Sequence, residues 1–383
     1  MHILIAPDKF KGSLSARQVA ENIAFGIRDV IPNAQIEITP VADGGEGTTE
    51  VIHDSLGGEW VTCAAHDALG GRIEARYVWI RDQGAAVMEM SEAAGMRRLK
   101  DGVRDIMCAS TLGVGEMLLD ATKGGAREII VGLGGSATND GGFGMARALG
   151  FRFLGAAAAE LSGGPNDLLK LMRIERPVVA GVSPPTTTLK SQPTSASGGS
   201  LQIKIVAACD VRNPLLGENG ATRTFGPQKG AIPEKLEILE RALTKLADTI
   251  TRDLGCDFRN DPGAGAAGGL GFGLMSFCGA ELRPGFDVVA DIVELEEKIK
   301  AADVVITGEG KLDTQTLEGK APAGVVRLAR KFGKRVFAVV GRADADQPAR
   351  EMFDGVYELG GSIPQARELL RERARQLGRA LKR

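Results

Sequence analysis

Histidine is scarce in this chain of 383 residues, which holds only His2, His53 and His66. None of them lies in a glycine-rich loop, which argues against catalysis built on an imidazole base or a covalent histidine. The five cysteines, Cys63, Cys108, Cys209, Cys256 and Cys278, stand far apart with no C-x-x-C spacing. Neither a disulfide framework nor a zinc site is expected, and they read as reduced packing residues. No apolar run approaches the ~20 residues that span a bilayer. The run after Met1, HILIAP, lacks the basic segment and cleavage site of a signal peptide. A soluble, cytoplasmic protein without a membrane partner is the expectation. Lysine and arginine (47) nearly balance aspartate and glutamate (49), the net charge is −2, and no basic patch invites nucleic acid. The P-loop pattern G-x-x-x-x-G-K-[ST] and the protein-kinase motifs are also missing.

Glycine, by contrast, is abundant, with 52 residues, roughly twice the usual share. Many of them fall in five loops that also carry a carboxylate or a lysine: VADGGEGT (41–48), GLGGSATNDGG (132–142), FGPQKGA (225–231), DPGAGAAGG (261–269) and TGEGKLDTQT (307–316). Glycine lets bare backbone N–H groups approach an anion, and Asp or Glu can hold the divalent metal that accompanies a polyphosphate. The combination reads as a phosphoryl-transfer site in which aspartate supplies any base.

The length calls for two domains. His2–Ala6 reads as a strand, and Ser15 with Gln18 forms a capping box opening a helix with the stripe Val19, Ile23, Ile27. Ile36–Val41 reads as a second strand. The same rhythm returns near the C-terminus with strand 303–307, a helix over 322–332, strand 335–340 and a last strand over 356–359. These runs look like parallel strands whose C-terminal ends feed functional loops. Residues 59–90 read instead as three antiparallel strands with turns at 69–71 and 82–84. A helix around 114–121, a strand over 128–133 that fits either sheet, and a helix after Asp140 follow. The expected fold class is α/β with two α/β domains. One is a doubly wound, flavodoxin-like or Rossmann-like parallel sheet (1–58 with 286–383), and the other an inserted mixed-sheet domain (59–285), with an active site between them. The Pro-, Ser- and Thr-rich stretch 177–200 is expected to be a mobile surface loop without chemistry.

Each loop has two readings. Asp43, Gly44, Gly45 and Glu46 sit where a strand end meets a helix N-terminus, a good place for anions, or they make a tight turn with solvated acids. Glu309 and Asp313, with Lys311 between them, follow another strand of the same sheet, so Asp43, Glu309 and Asp313 are candidate Mg²⁺ ligands. In the second loop Gly134, Gly135, Ser136 and Thr138 are candidate phosphate binders, while Asn139 and Asp140 would contact metal or substrate, or Asp140 would cap the next helix. Lys229 is a point charge for phosphate or carboxylate, or a solvated turn lysine. Asp8, Lys9 and Lys11 follow the first strand, and Asp210 follows another. Gly263, Gly265 and Gly268 spell G-x-G-x-x-G, but polar residues precede them where a dinucleotide fingerprint needs a strand. An anion-facing loop or a close-packing turn is the reading there.

Seven blocks in order, MHILIAPDKFKGSLSA, VADGGEGT, GLGGSATNDGG, ACDVRNPL, FGPQKGA, DPGAGAAGGLGFGL and DVVITGEGKLDTQT followed by GKAPAGV, closely resemble the type I glycerate kinases over nearly the whole chain. These belong to a bacterial group related to sugar-acid and glyoxylate catabolic enzymes. The resemblance implies two α/β domains, one flavodoxin-like, and Mg²⁺- and ATP-dependent phosphorylation of D-glycerate, usually to the 2-phosphate. The 177–200 stretch departs from the pattern in being longer and richer in Ser, Thr and Pro. We assign Lys9, Lys11 and Lys229 to anionic groups, Asp43, Glu309 and Asp313 to metal, and Asn139 and Asp140 to substrate or base duty. Asp43, Asp140 and Asp210 stay open as the base, and a homo-oligomer is allowed for. The rival readings are a 3-phosphate-forming glycerate kinase, another small-molecule kinase class sharing one loop, and a non-catalytic sensor of phosphorylated metabolites.

Overall fold

The structure is a computed structural model and describes residues 1–100, 103–177, 203–313, 316, 320–344, 347–360 and 365–382. Most of the 177–200 stretch therefore lies outside the described residues. Along the chain the strands are β1 (His2–Ile5), β2 (Gln35–Ile38), β3 (Glu59–His66), β4 (Arg72–Ile80), β5 (Ala85–Glu89), β6 (Glu128–Gly132), β7 (Arg152–Leu154) and β8 (Arg173–Glu175). They continue with β9 (Lys204–Ala208), β10 (Glu281–Arg283), β11 (Val304–Thr307), β12 (Lys311–Leu312), β13 (Arg335–Val340), β14 (Arg342–Ala343) and β15 (Gly355–Glu358). The chain divides into two compact units, Met1–Gly57 with Pro284–Arg383, and Gly58–Arg283.

The first unit is a five-stranded parallel sheet in the order β15-β13-β11-β1-β2. Read from the β2 edge, this is the flavodoxin-like succession 2-1-3-4-5. Side chains alternate across it with the period of two that a strand imposes. Ile3, Ile5, Val304 and Ile306 face Val19, Ile23 and Ile27 of the Ala16–Val30 helix and Leu370 and Leu377 of the Ala366–Leu381 helix. Leu4, Ala6 and Val305 join the opposite cluster with Val289, Ile299, Val325 and Ala329. Val19, Ile23 and Ile27 are fully buried, and each such side chain contributes about 1.5–3 kcal/mol. The capping box is in place: Gln18 N–H donates to Ser15 Oγ, and Gln18 Oε1 accepts from Ser15 N–H, both at 3.2 Å. β2 stops at Ile38, short of the expected Val41, because Pro40 brings no N–H to the ladder. Thr39 and Val41 N–H still donate to Ile5 and Pro7 carbonyls, so the chain keeps running beside β1.

The second unit carries a six-stranded sheet in the order β10-β9-β6-β5-β4-β3. β10, β9, β6 and β5 pair in parallel, whereas β5, β4 and β3 are antiparallel. This settles the 128–133 segment: β6 sits between β5 and β9, inside this sheet. Its core is aromatic at one end, where Phe143 and Phe153 meet edge to face with centroids 4.7 Å apart and Phe151 and Phe277 lie 5.0 Å apart. Small two-stranded sheets, β7-β8 and β12-β14, complete the pairing among the described residues.

Candidate active site

In the first unit the loops after β1, β2 and β11 leave the same sheet edge. Asp8 N–H donates to Gly308 O at 2.8 Å, which ties the first loop to the third, and Lys9 N–H donates to the Asp8 carboxylate at 2.6 Å. Lys9 Nζ donates to the Glu46 carbonyl and so spans to the second loop. Asp43 closes an Asx turn, its Oδ1 accepting from Gly45 N–H at 3.0 Å, and the Thr48–Leu56 helix starts just beyond. Glu309 is 5% exposed and accepts from Thr316 Oγ1 at 2.6 Å, with Lys320 Nζ 4.0 Å away. Burial pushes the Asp8 carboxyl up to about 7, helped by the neighbouring charges of Asp43 and Glu309. Burial likewise pushes Glu309 up to about 7, with Asp313 and Asp43 adding to it. A cleft of about 360 Å³ opens beside Asp8, lined by Lys9, Lys11, Ser13, Glu46 and Glu50.

The expected metal trio does not close as drawn. Asp313 is taken by lysines, with Lys311 at 3.2 Å and Lys320 at 3.3 Å, and these hold its carboxyl below the usual range although burial pushes it up. Among the described residues no three His, Cys, Asp or Glu side chains form a cage for an ion. Asp43 and Glu309 fit a different donor set, in which one or two carboxylates are completed by phosphate oxygens and water, as Mg²⁺ prefers. Their mutual repulsion with Asp8 is the observation that favours a cation there.

In the second unit the glycine loop after β6 is arranged around two charges that turn inward. Asp140 is fully buried. Its carboxylate accepts from Thr111 N–H (2.8 Å), Gly142 N–H (3.1 Å), Gly144 N–H (3.0 Å) and the Thr111 hydroxyl (2.9 Å). Burial raises its pKa against the pull of those bonds. With its lone pairs so engaged, Asp140 ties Thr111 to the start of the Phe143–Ala148 helix, whose N-cap is Gly142. Lys229 is 3% exposed, donating to Thr138 O at 2.7 Å and Ser136 Oγ at 3.3 Å. Burial lowers its pKa to about 7 against the attraction of Asp140. It is not a solvated turn lysine: it is buried and holds the Ser136–Thr138 stretch of the loop. Asn139 is also buried, and its Nδ2 donates to Thr222 Oγ1 at 3.0 Å while Oδ1 has no partner among the described residues. Gly134 and Gly135 keep partial exposure, and Asp210, two residues past β9, is half-buried.

Gly263 and Gly265 meet the close-packing reading. A Cβ on Gly265 would fall 2.3 Å from Pro214 O, and one on Gly268 only 1.9 Å from Thr138 O, so the Ala266–Cys278 helix presses directly on the Ser136–Asp140 backbone. Sequence reasoning missed Thr111, which lies 29 residues before Asp140, and Thr316 and Lys320, which reach Glu309 and Asp313 from the end of the same loop and just beyond it. It also missed the segment 89–98, which follows the glycine loop closely. Met90 N–H donates to Gly132 O, Met96 N–H to Gly135 O, and Ala137 N–H to Ala94 O, all at 2.9 Å. Within that segment the buried Glu89 and Glu92 are held by Arg97 and Arg98. Two acids three residues apart, Glu89 and Glu92, followed by the pair Arg97 and Arg98, were the available signal.

A glycerate kinase from Halalkalibacterium halodurans is 43% identical over 358 residues, covering 94% of this chain and 88% of that one. A glycerate 2-kinase from Escherichia coli K12 is 40% identical, covering 90% and 86%. The crystal structure of a protein from Salmonella typhimurium LT2 assigned as a glycerate kinase 2 superposes with a TM-score of 0.86 at 39% identity, over 100% of this chain and 98% of that one. Among the described residues no helix is long and apolar enough to cross a membrane. The family model for the glycerate kinases matches residues 3–383, and the chain belongs to the glycerate kinase family.

Proposed function

We propose that this chain works in the cytoplasm, transferring the γ-phosphoryl group of ATP to the 2-hydroxyl of D-glycerate. The observation that carries the reading is the crowding of Asp8, Asp43 and Glu309 at one parallel-sheet edge beside Lys9 and Lys320, carboxylates that repel one another until a cation joins them. Asp43 and Glu309 would hold Mg²⁺. That ion, bound with ATP, supplies positive charge to the polyphosphate. Lys9 and Lys11 neutralise phosphate oxygens around the 360 Å³ cleft. Gly44, Gly134 and Gly135 offer N–H groups, Gly45 allows close backbone approach, and Ser136, Thr138 and Asn139 belong to the loop against which the acceptor is positioned. The acceptor hydroxyl loses its proton late in transfer to a carboxylate, for which Asp43 and Asp210 are the candidates left after Asp140. The choice of the 2-hydroxyl follows the name of the Escherichia coli relative.

ADP release coupled to NADH oxidation, with D-glycerate, ATP and varied Mg²⁺, tests the reading. Turnover that needs all three is expected, with ³¹P NMR of the product showing the phosphate on C2. A phosphate on C3 would replace the regiochemistry, and no ADP release would leave the sensor reading in its place.

A further inference from the structure

With Lys229 and Asp140 committed inward, the second unit still needs a cation for the negative end of its ligand. We propose that the Arg97 guanidinium receives the carboxylate of the acceptor, pre-oriented by the buried Glu89 and Glu92; this rests on the glycerate-kinase reading above. Glu89 ends β5 in register with Gly132, the residue that opens the glycine loop. Its carboxylate is 1% exposed and lies 3.4 Å from Arg97 Nη2, which also pairs with Glu92. Arg97 Nε donates to Ser91 O at 3.3 Å. Three contacts through Nε and Nη2 fix this arginine, and ordering so long a side chain costs entropy. Both N–H groups of Nη1 remain without a partner among the described residues, and the side chain keeps 33% of its surface open. The guanidinium fork is thus held through Nε and Nη2, and Nη1 is placed to donate to a carboxylate oxygen.

The other cations nearby are less suited. Arg98 turns from Glu92 toward Glu74 O on β4, on the side of β5 away from the glycine loop. Arg104 is exposed and donates to Gln228 O without a buried acid to hold it. Arg76 lies 3.9 Å from Glu92 and stacks on Trp60. Arg98 and Arg76 compensate Glu92 from the β4 side, which leaves Arg97 to face Glu89 with Nη1 open.

The test compares full-length wild type, Arg97→Lys and Arg97→Met in the ADP-release assay, varying D-glycerate and ATP in turn. The KM for D-glycerate should rise roughly 10- to 100-fold, the range for losing charge-assisted hydrogen bonds, while the KM for ATP stays within about twofold. Inhibition by the uncharged amide of glyceric acid should change by less than about threefold, since it offers no carboxylate to lose. A raised KM for ATP with a normal KM for glycerate would overturn the assignment, placing Arg97 on phosphate. A fall in kcat with both KM values unchanged would overturn it as well, leaving Arg97 as a brace for the loop. Arg97→Met strands two buried acids and is checked by thermal melting; Arg97→Lys keeps the charge but not the fork, so the test survives if the first variant does not fold. Wild type without activity on D-glycerate would overturn this proposal together with the reading beneath it, whereas an active wild type with unaltered variants overturns Arg97 alone.

Discussion

At the C-terminal edge of the first unit's sheet, Asp8 and Glu309 sit near pKa 7, short of solvent and facing other carboxylates. At the corresponding edge of the second unit's sheet, Asp140 is wrapped by three backbone N–H groups and a hydroxyl, and Lys229 spends its protons on Thr138 and Ser136. One edge leaves its charges in mutual conflict; the other settles them within the protein. Conflict that the fold does not resolve is a sign that a ligand resolves it, whereas a settled buried charge is more often scaffolding. Under the proposed function the first edge holds reactive charge and the second holds a loop in shape.

The contrast can be broken most directly at Asp43. Asp43→Asn should lower kcat by roughly 10²–10⁴-fold, and extra Mg²⁺ or Mn²⁺ should restore part of it if the residue is a metal ligand and none if it is the base. Normal turnover in steady-state assays would remove Asp43 from the site. Asp140→Ala should act on the other side of the divide, costing about 3 kcal/mol of stability in urea unfolding. Asp140→Asn, which keeps an acceptor for the backbone, should retain far more turnover than Asp43→Asn. A loss of turnover equal to that of Asp43→Asn in a fully folded protein would return Asp140 to the chemistry.

The pH dependence of stability should separate the two edges by sign. Asp8 and Glu309 are raised from 3.8 and 4.5 to about 7, so the folded state binds more protons in that window. Their contribution is complete below about 4 and is lost as pH rises through 7. Lys229 is lowered from 10.5 to about 7, so the folded state binds fewer protons between those values and its contribution to stability rises with pH across them. Urea midpoints measured in metal-free buffer should therefore show a falling arm flattened by Glu309→Gln and a rising arm flattened by Lys229→Met. Each variant flattening the other's arm would reverse the assignment. The smallest effect lies far from either edge: Ser15→Ala should cost about 1 kcal/mol through the lost cap, read by the same unfolding curve, with kinetic constants unchanged.

Much of the fold was legible because its signals are local. Ser15 and Gln18 mark a helix start three residues apart, and RVFAVV is a buried parallel strand by composition alone. Thr48 opens a helix just where VADGGEGT ends. The strand 128–132 has the same composition as its counterparts in the other unit, so only its pairing with β5 and β9 could place it. In the site, residue types were readable and their orientation was not. Asp140 could equally cap or react until Thr111, 29 positions earlier, was seen to supply two of its donors. Lys229 looks like a surface lysine in FGPQKGA, and its burial depends on a loop some 90 residues upstream. Asp313 was read as a metal ligand from its place on a loop at the same sheet edge as Asp43; in the structure it pairs with Lys311 and Lys320.

The threading of the first unit carries one more consequence. β1 lies between β2 and β11, and the helix that follows β1 packs on the last helix of the chain. When the polypeptide leaves the ribosome, residues 1–57 therefore emerge with two of the sheet's five strands and without Leu370 and Leu377, which complete the cluster around Ile3, Ile5 and Ile23. All strands of the six-stranded sheet lie in one uninterrupted stretch, 58–283, so that module can complete itself while the earlier one is still waiting. The part made first is the part finished last.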